Sequence, residues 1–132
     1  MRQITDHVVE GDPAPQLTIA AVDEPGHGGA NHEYRISYPG GITLDENGQN
    51  VVGMIEHRVS FQNGPIKEFG INGVTQEALL AIVIDRLRCF QAGPFASPDN
   101  SLALTHCEEA LWHFKQRTRE RIKRGVEGTN AK

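Results

Sequence analysis

Hydrophobic and polar positions alternate with a period of two through most of the first seventy residues. The alternation is clearest in three stretches: Leu17, Ile19 and Ala21; Tyr34, Ile36 and Tyr38; and Ile55, His57, Val59 and Phe61. This period places the apolar side chains on one face of a strand, so the pattern predicts half-buried antiparallel β-strands. Asn47-Gly48 favours a hairpin between the second and third stretches. Pro39-Gly40-Gly41 predicts a turn or loop after the second.

From Thr75 onward the pattern changes. Thr75 supplies an N-cap hydroxyl and the next sixteen residues contain no Gly or Pro, so the sequence predicts a helix over about residues 75–91. Ser97-Pro98 predicts a second helix over about residues 98–124, because proline at the first helical position loses no hydrogen bond. Gly125 is expected to end it. The short linker makes the two helices antiparallel neighbours.

These elements predict an α+β protein, in which an N-terminal antiparallel β-sheet precedes a C-terminal two-helix antiparallel hairpin. A length of 132 residues favours a single domain, residues 1–132, with a β-rich part (1–71) and a helical part with a short tail (72–132). The longest apolar run, Ala78 to Ile84, is seven residues long, too short for a membrane span. It places apolar side chains on every side of the first helix, which predicts self-association.

The N-terminus and the cysteines indicate a cellular compartment. No apolar segment follows a basic start, so neither a secretory signal nor a transit peptide is expected. Cys89 and Cys107 are the two cysteines, too few for a disulfide framework and without the paired spacing of a zinc site. A reducing, cytoplasmic location is therefore expected.

The sequence offers little support for catalysis. No HExxH or CxxC spacing accompanies the six histidines, so neither a metal site nor a cofactor is expected. No GxSxG elbow occurs, and Cys107 points about 100° away from His106 on a helix, which disfavours a nucleophile and base pair. The Gly-rich loop near residues 25–30 lacks the lysine of a P-loop and is interpreted as a connection between strands.

Charge is distributed unevenly along the chain. The net charge is −4, which argues against a general nucleic-acid-binding protein. Residues 1–74 carry ten acidic and four basic side chains, a balance of −6, whereas residues 75–132 carry seven acidic and nine basic, a balance of +2. Between Lys115 and Arg124 there are six bases and one acid, a balance of +5. An anionic partner is expected to bind there.

The helical part also carries a set of residues suited to a nucleotide. Phe90 falls in the last turn of the first helix and Asn100 in the first turn of the second, and Arg117 and Arg121 share one helix face. An aromatic ring can stack on a base, an amide can bind a base edge or ribose, and guanidiniums can bind phosphate. Each residue alone also has a purely structural interpretation, in the core, in a helix turn or in a solvated stripe. Periodicity alone leaves both readings open.

The stretch from Asn72 to Thr129 resembles the helical-hairpin domain of phage anti-defence sponge proteins, the anti-CBASS sponge and the Thoeris anti-defence sponge. The resemblance is carried by the succession GPFA…N…LT…EEAL…RTR…RGVEGT. Because a β-rich half precedes the hairpin, the chain is more similar to the Thoeris-type member than to the shorter anti-CBASS one. Residues 1–71 support that choice only by length and class.

The resemblance implies a binding role without catalysis. Thoeris immunity makes a glycocyclic ADP-ribose signal, which the sponge binds and keeps from its effector. The family's stacking Phe falls on Phe90, its pocket Asn on Asn100, and its phosphate-binding arginines on Arg117 and Arg121. Members assemble as dimers and often hexamers, and for this chain neither a membrane nor a nucleic-acid partner is expected. Some also hold cyclic oligonucleotides between subunits, and the RGVEGT tail is a candidate part of such a site.

Three alternatives stay open at this point. A sponge chiefly for cyclic di- or trinucleotides would share the same hairpin. An enzyme that degrades the signal would need a general base, for which His106 and His113 are the nearest candidates. A nucleic-acid-binding module would use the +5 stretch, and the acidic remainder of the chain makes this the weakest alternative.

Overall fold

The computed structural model describes residues 1–12 and 17–132. These form two compact units, Met1–Asn63 and Gly64–Lys132. The first unit holds a β-sheet and the second holds the helices, so the predicted α+β class is confirmed. The prediction that residues 1–132 form a single domain stays a prediction. In the described part of the chain, no helix combines the length and the apolar character needed to cross a membrane.

The first unit is a four-stranded antiparallel sheet in the order of the sequence. Its strands are β1 (Arg2–Ile4), β2 (Thr18–Ala21), β3 (Glu33–Leu44) and β4 (Asn50–Ser60). The predicted alternation fits β2, β3 and β4, whereas β1 has too short an apolar pattern to be recognised. Ala20 and Ala21 are buried in β2, and the rings of Tyr34 and Phe61 meet edge to face at 5.6 Å between centroids. The core of this unit therefore lies around β2 and the start of β3.

A long two-stranded arm extends β3 and β4 beyond this core. β2 pairs with β3 only as far as Ser37, so the later part of β3 pairs with β4 alone among the described strands. The predicted hairpin at Asn47-Gly48 is confirmed by the antiparallel pairing of β3 with β4. Its turn is held by the Asp45 carboxylate, which accepts hydrogen bonds from the N–H groups of Asn47 and Gln49 at 2.9 and 2.8 Å. Ile42 and Val52 pair across the arm, and both are 73% exposed.

The predicted turn at Pro39-Gly40-Gly41 is wrong. These residues lie inside β3, where the register against β4 shifts between Pro39 and Ile42. Gly41 has a φ of +69°, a conformation that glycine adopts without strain. The three residues thus form an irregularity of the bulge type and let the strand continue. Proline is tolerated there because β2 no longer pairs with this part of β3.

The Gly-rich connection between β2 and β3 is held by its own polar groups. The Gly26 N–H donates to the Ala30 carbonyl at 2.8 Å. The Asp23 carboxylate accepts from the His32 backbone N–H at 3.0 Å and from the Asn31 amide at 3.2 Å. The His32 hydrogen bond is the main reason why the pKa of Asp23 lies below its ordinary value. This arrangement agrees with a connection between strands.

The second unit contains a short helix, α1 (Ile66–Phe69), followed by two long helices, α2 (Gln76–Ala92) and α3 (Pro98–Lys123). The predicted N-caps are confirmed: the Thr75 hydroxyl accepts from the Ala78 N–H at 3.1 Å, and the Ser97 hydroxyl accepts from the Asn100 N–H at 3.1 Å. Both predicted helices begin and end within one residue of their expected bounds.

Gly125 ends α3 as predicted. Its φ is +74°, its N–H donates to the Ile122 carbonyl at 3.0 Å, and the next N–H, of Val126, donates to the Arg121 carbonyl at 3.0 Å. This pair of bonds is the Schellman arrangement, which satisfies carbonyls that have no partner inside the helix. The chain then turns back, so that the tail lies beside the last turns of α3.

Candidate functional site

Phe90 lies near the end of α2, close to the connection between the two long helices. Its side chain is partly exposed, and the Arg86 guanidinium lies 5.5 Å from the ring centroid. Arg86 stands one turn earlier on the same helix, so the pair is a local cation–π contact. Arg86 is not among the residues predicted for the site, although its spacing of four residues from Phe90 indicates that the two side chains are neighbours on the helix. The ring is therefore held by a cation and still reaches solvent.

Asn100 lies at the same end of the hairpin, in the first turn of α3. Its backbone N–H is bound by the Ser97 hydroxyl, and its side-chain amide donates to the Phe95 carbonyl at 3.4 Å. The linker is tied further by the Ser97 N–H, which donates to the Gln91 side chain at 3.0 Å. Within the described residues the side-chain oxygen of Asn100 accepts no hydrogen bond. That oxygen is the group left for a ligand donor.

Arg117 and Arg121 share one face of α3 but differ in their surroundings. Arg117 is exposed, and its guanidinium makes no hydrogen bond or ion pair within residues 1–12 and 17–132. The Arg121 side chain is 16% exposed and forms an ion pair with Glu127 at 3.1 Å. It also donates to three carbonyl oxygens of the tail. Of the two predicted phosphate ligands, only Arg117 is unengaged.

The four predicted residues occupy opposite ends of one hairpin. Asn100 and Arg117 are 17 residues apart on a continuous helix, which corresponds to about 25 Å along its axis. Arg121 lies a further turn away. A small-molecule pocket of about 300–1,000 Å³ is about 10 Å across. One chain therefore does not bring all four residues to one such pocket, and their assignment to a single site stays a prediction.

The histidines and cysteines of this unit do not form a cluster among the described residues. His106 lies 3.7 Å from Glu109 on the exposed side of α3, and the His113 ring meets the Trp112 ring edge to face at 4.9 Å. Cys89 and Cys107 are free thiols. Among the described residues no group of three His, Cys, Asp or Glu side chains is arranged to hold a metal ion.

Comparison with known proteins gives two matches. Residues 54–118 match the family model described as the Acb2/Tad1 hairpin domain. A protein named Thoeris anti-defense 1, from Bacillus phage SBSphiJ7, is 51% identical over 74 residues, which cover 56% of this chain and 52% of that protein. The chain thus spans about half the length of the curated relative it matches. Of the four predicted ligand residues, the family model includes Phe90, Asn100 and Arg117 and stops before Arg121.

Proposed function

We propose, from the premise that this chain belongs to the family of the Acb2/Tad1 hairpin domain, that it is a phage anti-defence protein that inhibits Thoeris immunity. It binds cyclic ADP-ribose signals, specifically glycocyclic ADP-ribose, in the host cytoplasm and sequesters them without degrading them. The name of the relative supports the Thoeris assignment. The choice of ligand rests on the residues of the hairpin.

The single observation that carries this proposal is the unengaged guanidinium of Arg117. It is exposed inside a segment with a balance of +5, and Arg121 follows one turn later on the same face. A guanidinium binds phosphate through two parallel hydrogen bonds. A diphosphate such as that of cyclic ADP-ribose presents acceptor oxygens on neighbouring phosphates, which suits two arginines one turn apart.

Energetic arguments favour a site shared between two chains. Sub-micromolar binding requires about −8 to −12 kcal/mol. Stacking on Phe90 contributes about 1–3 kcal/mol, and two charged hydrogen bonds contribute about 1.5–3 kcal/mol each. The sum, about 4–9 kcal/mol before ordering costs, is insufficient for most of that range. The separation of about 25 Å within one hairpin is an independent reason for the same conclusion. Antiparallel apposition of two hairpins would bring Phe90 and Asn100 of one protomer to the arginines of its partner.

A surface for such apposition exists on α2. Ile82 and Val83 are 59% and 44% exposed, whereas Ile84 is buried. Phe90 lies seven residues after Val83 and therefore on the same side of the helix. Burying this apolar face against a second copy would remove it from water. The interface would reach as far as Phe90, whose ring is proposed to stack on the ligand. We propose a dimer, or a hexamer built from such pairs.

A release experiment tests sequestration. Purified protein is incubated with glycocyclic ADP-ribose, freed of unbound ligand and heat-denatured, and the supernatant is analysed by mass spectrometry. Intact ligand, released in proportion to protein, is the expected result. A cleaved product would replace the sponge with an enzyme, for which His106→Ala and His113→Ala would be the first variants to assay. Recovery of neither species would remove the proposed ligand.

A second candidate function is binding of cyclic di- or trinucleotides. It is favoured by the matched family model, whose description covers Acb2 together with Tad1. Competitive titration against glycocyclic ADP-ribose separates the two: mutual displacement indicates one site, whereas simultaneous binding indicates two. Steeply salt-dependent retention of DNA or RNA would instead favour a nucleic-acid-binding module.

A further inference from the structure

The Arg121 guanidinium is almost fully occupied by the C-terminal tail. Nε donates to the Glu127 carboxylate at 3.1 Å, and Nη1 donates to the Ala131 carbonyl at 2.6 Å. Nη2 donates to the Val126 and Thr129 carbonyls at 3.0 and 2.9 Å. These bonds use four of the five N–H groups of a guanidinium. In this conformation Arg121 lacks two free parallel N–H groups with which to bind a phosphate.

The tail has few other anchors. Residues 126–131 contain no helix or strand. The Lys67 N–H donates to the Gly128 carbonyl at 3.2 Å, and a side-chain bond joins Arg124 to Lys132. The Schellman arrangement at Gly125 fixes only where the tail leaves α3. A terminal segment that contains no helix or strand and is held mainly by one side chain opens at a small cost compared with unfolding of the protein.

The groups that hold Arg121 are close substitutes for a phosphate. A carboxylate and several carbonyl oxygens surround the guanidinium, and a phosphate would present the same kind of negative acceptor atoms to the same N–H groups. Arg117, one turn away, is exposed and unengaged within the described residues. Arg117 is therefore available to a ligand, whereas Arg121 is bound by the protein's own tail.

We propose that residues 126–131 form a releasable strap, which occupies Arg121 in the free protein and which the phosphates of the ligand displace. The proposal rests on the proposed function above and concerns the regulation of the same site. Arg117 makes the first contact, and the strap then gives up Arg121 to the second phosphate. Glu127 determines how strongly a ligand must bind to displace the strap, because it supplies the strap's one side-chain carboxylate, which pairs with Arg121. A ligand with a single weak acceptor does not replace four hydrogen bonds, whereas a diphosphate offers enough acceptors.

The exchange of backbone amides measures release directly. Hydrogen–deuterium exchange of the peptide containing residues 126–132 is followed in the full-length protein, with and without saturating glycocyclic ADP-ribose. We expect moderate protection in the free protein and faster exchange in the complex, because the bound phosphates take the N–H groups that hold the tail. Unchanged or slower exchange in a complex that calorimetry shows to be saturated would overturn the strap.

A matched pair of variants tests the role of Glu127. Glu127→Gln removes the charge that holds the strap closed, and Glu120→Gln removes the same charge one residue before Arg121, where the side chain has no partner within the described residues. Glu127→Gln is expected to bind glycocyclic ADP-ribose about two- to fivefold more tightly than Glu120→Gln, as the worth of a partly exposed ion pair implies. Equal or weaker binding would refute the competition.

The failures of the two proposals are distinguishable. If the wild-type protein and both variants bind no glycocyclic ADP-ribose, the proposed function fails and the inference fails with it. If they bind but the tail stays protected and the two variants are equal, the proposed function stands and only the strap fails. Circular dichroism on each variant confirms that the helices are retained before affinities are compared.

Discussion

The two ends of the helical hairpin are built differently. At the end that carries the linker, Asn100 is fixed by a capping hydroxyl and by a bond to the linker itself. At the other end the cationic side chains project from an uninterrupted helix, and one of them is bound by a tail with little regular structure. The linker end is therefore fixed by hydrogen bonds, whereas the proposed release of the tail would make the cationic end adjustable. In the proposed dimer, the base of the ligand would bind at the linker end of one protomer and its diphosphate at the cationic end of the partner.

The largest expected effect is the loss of ligand affinity when either arginine of the cationic end is replaced. Arg117→Ala and Arg121→Ala are each expected to weaken binding of glycocyclic ADP-ribose by about 1.5–3 kcal/mol in isothermal titration calorimetry. Only Arg121→Ala should also expose the tail, visible as faster cleavage of residues 126–132 by carboxypeptidase. Unchanged affinity in both variants would remove the phosphate site from this end of the hairpin.

The next effect concerns the linker end. Phe90→Ala is expected to lose about 1–3 kcal/mol of binding free energy, the usual value of a base stacked on an aromatic ring. Phe95→Ala is the matched control, since it removes an exposed ring from the linker and leaves the carbonyl that Asn100 binds. Equal losses in the two variants, measured by calorimetry, would contradict a specific platform at Phe90.

A smaller effect distinguishes the two N-caps. Ser97→Ala and Thr75→Ala should each destabilise the protein by about 1 kcal/mol in urea unfolding, because each removes a hydroxyl that caps a helix. Only Ser97 holds the turn that carries Asn100, so only its loss should also reduce ligand affinity. If Thr75→Ala reduced affinity equally, the linker end would have no special preorganisation.

The smallest effect lies outside the hairpin, in the sheet. The pKa of Asp23 is lowered below its ordinary value, chiefly by the hydrogen bond from the His32 N–H, so this carboxylate stabilises the folded sheet at pH values above its pKa in the unfolded chain. That contribution is lost as the pH falls through the lower folded pKa. Melting temperatures of the wild type and Asp23→Asn are measured from about pH 5 down to about pH 2.5. The difference between the two proteins should shrink as the pH falls. Curves that stay parallel would contradict this linkage.

Much of the helical part could be predicted from the sequence because local chemistry determines it. Every helix end leaves backbone groups unpaired. These groups are capped by the hydroxyls of Thr75 and Ser97, are missing at Pro98, and are bound in the turn at Gly125. Such residues therefore indicate the ends of a helix with almost no tertiary information. The arm was predicted less well. Pro39-Gly40-Gly41 has the composition of a turn, but pairing with β4 carries the strand through it. Such pairing depends on residues distant in sequence, which a local pattern does not report.

The candidate site shows the same division. Spacing placed Phe90 and Asn100 at the linker end and both arginines on one face of α3, as the structure has them. Spacing gave no information about the engagement of Arg121, because its partners follow a chain reversal after Gly125. A motif identifies which side chain is present, whereas the chain that folds back over it decides whether that side chain is available.

The two-stranded arm of the first unit has a consequence for how the protein behaves in solution. Beyond Ser37 its strands pair only with each other among the described residues, and isolated two-stranded ribbons are marginally stable in water. The arm can therefore open while the four-stranded part stays closed. If a second copy covered the exposed apolar side chains of the arm, their burial would stabilise it, and the stability of the protein would depend on its concentration. Under the proposed self-association, a protomer at low concentration would be less stable than the same protomer at high concentration.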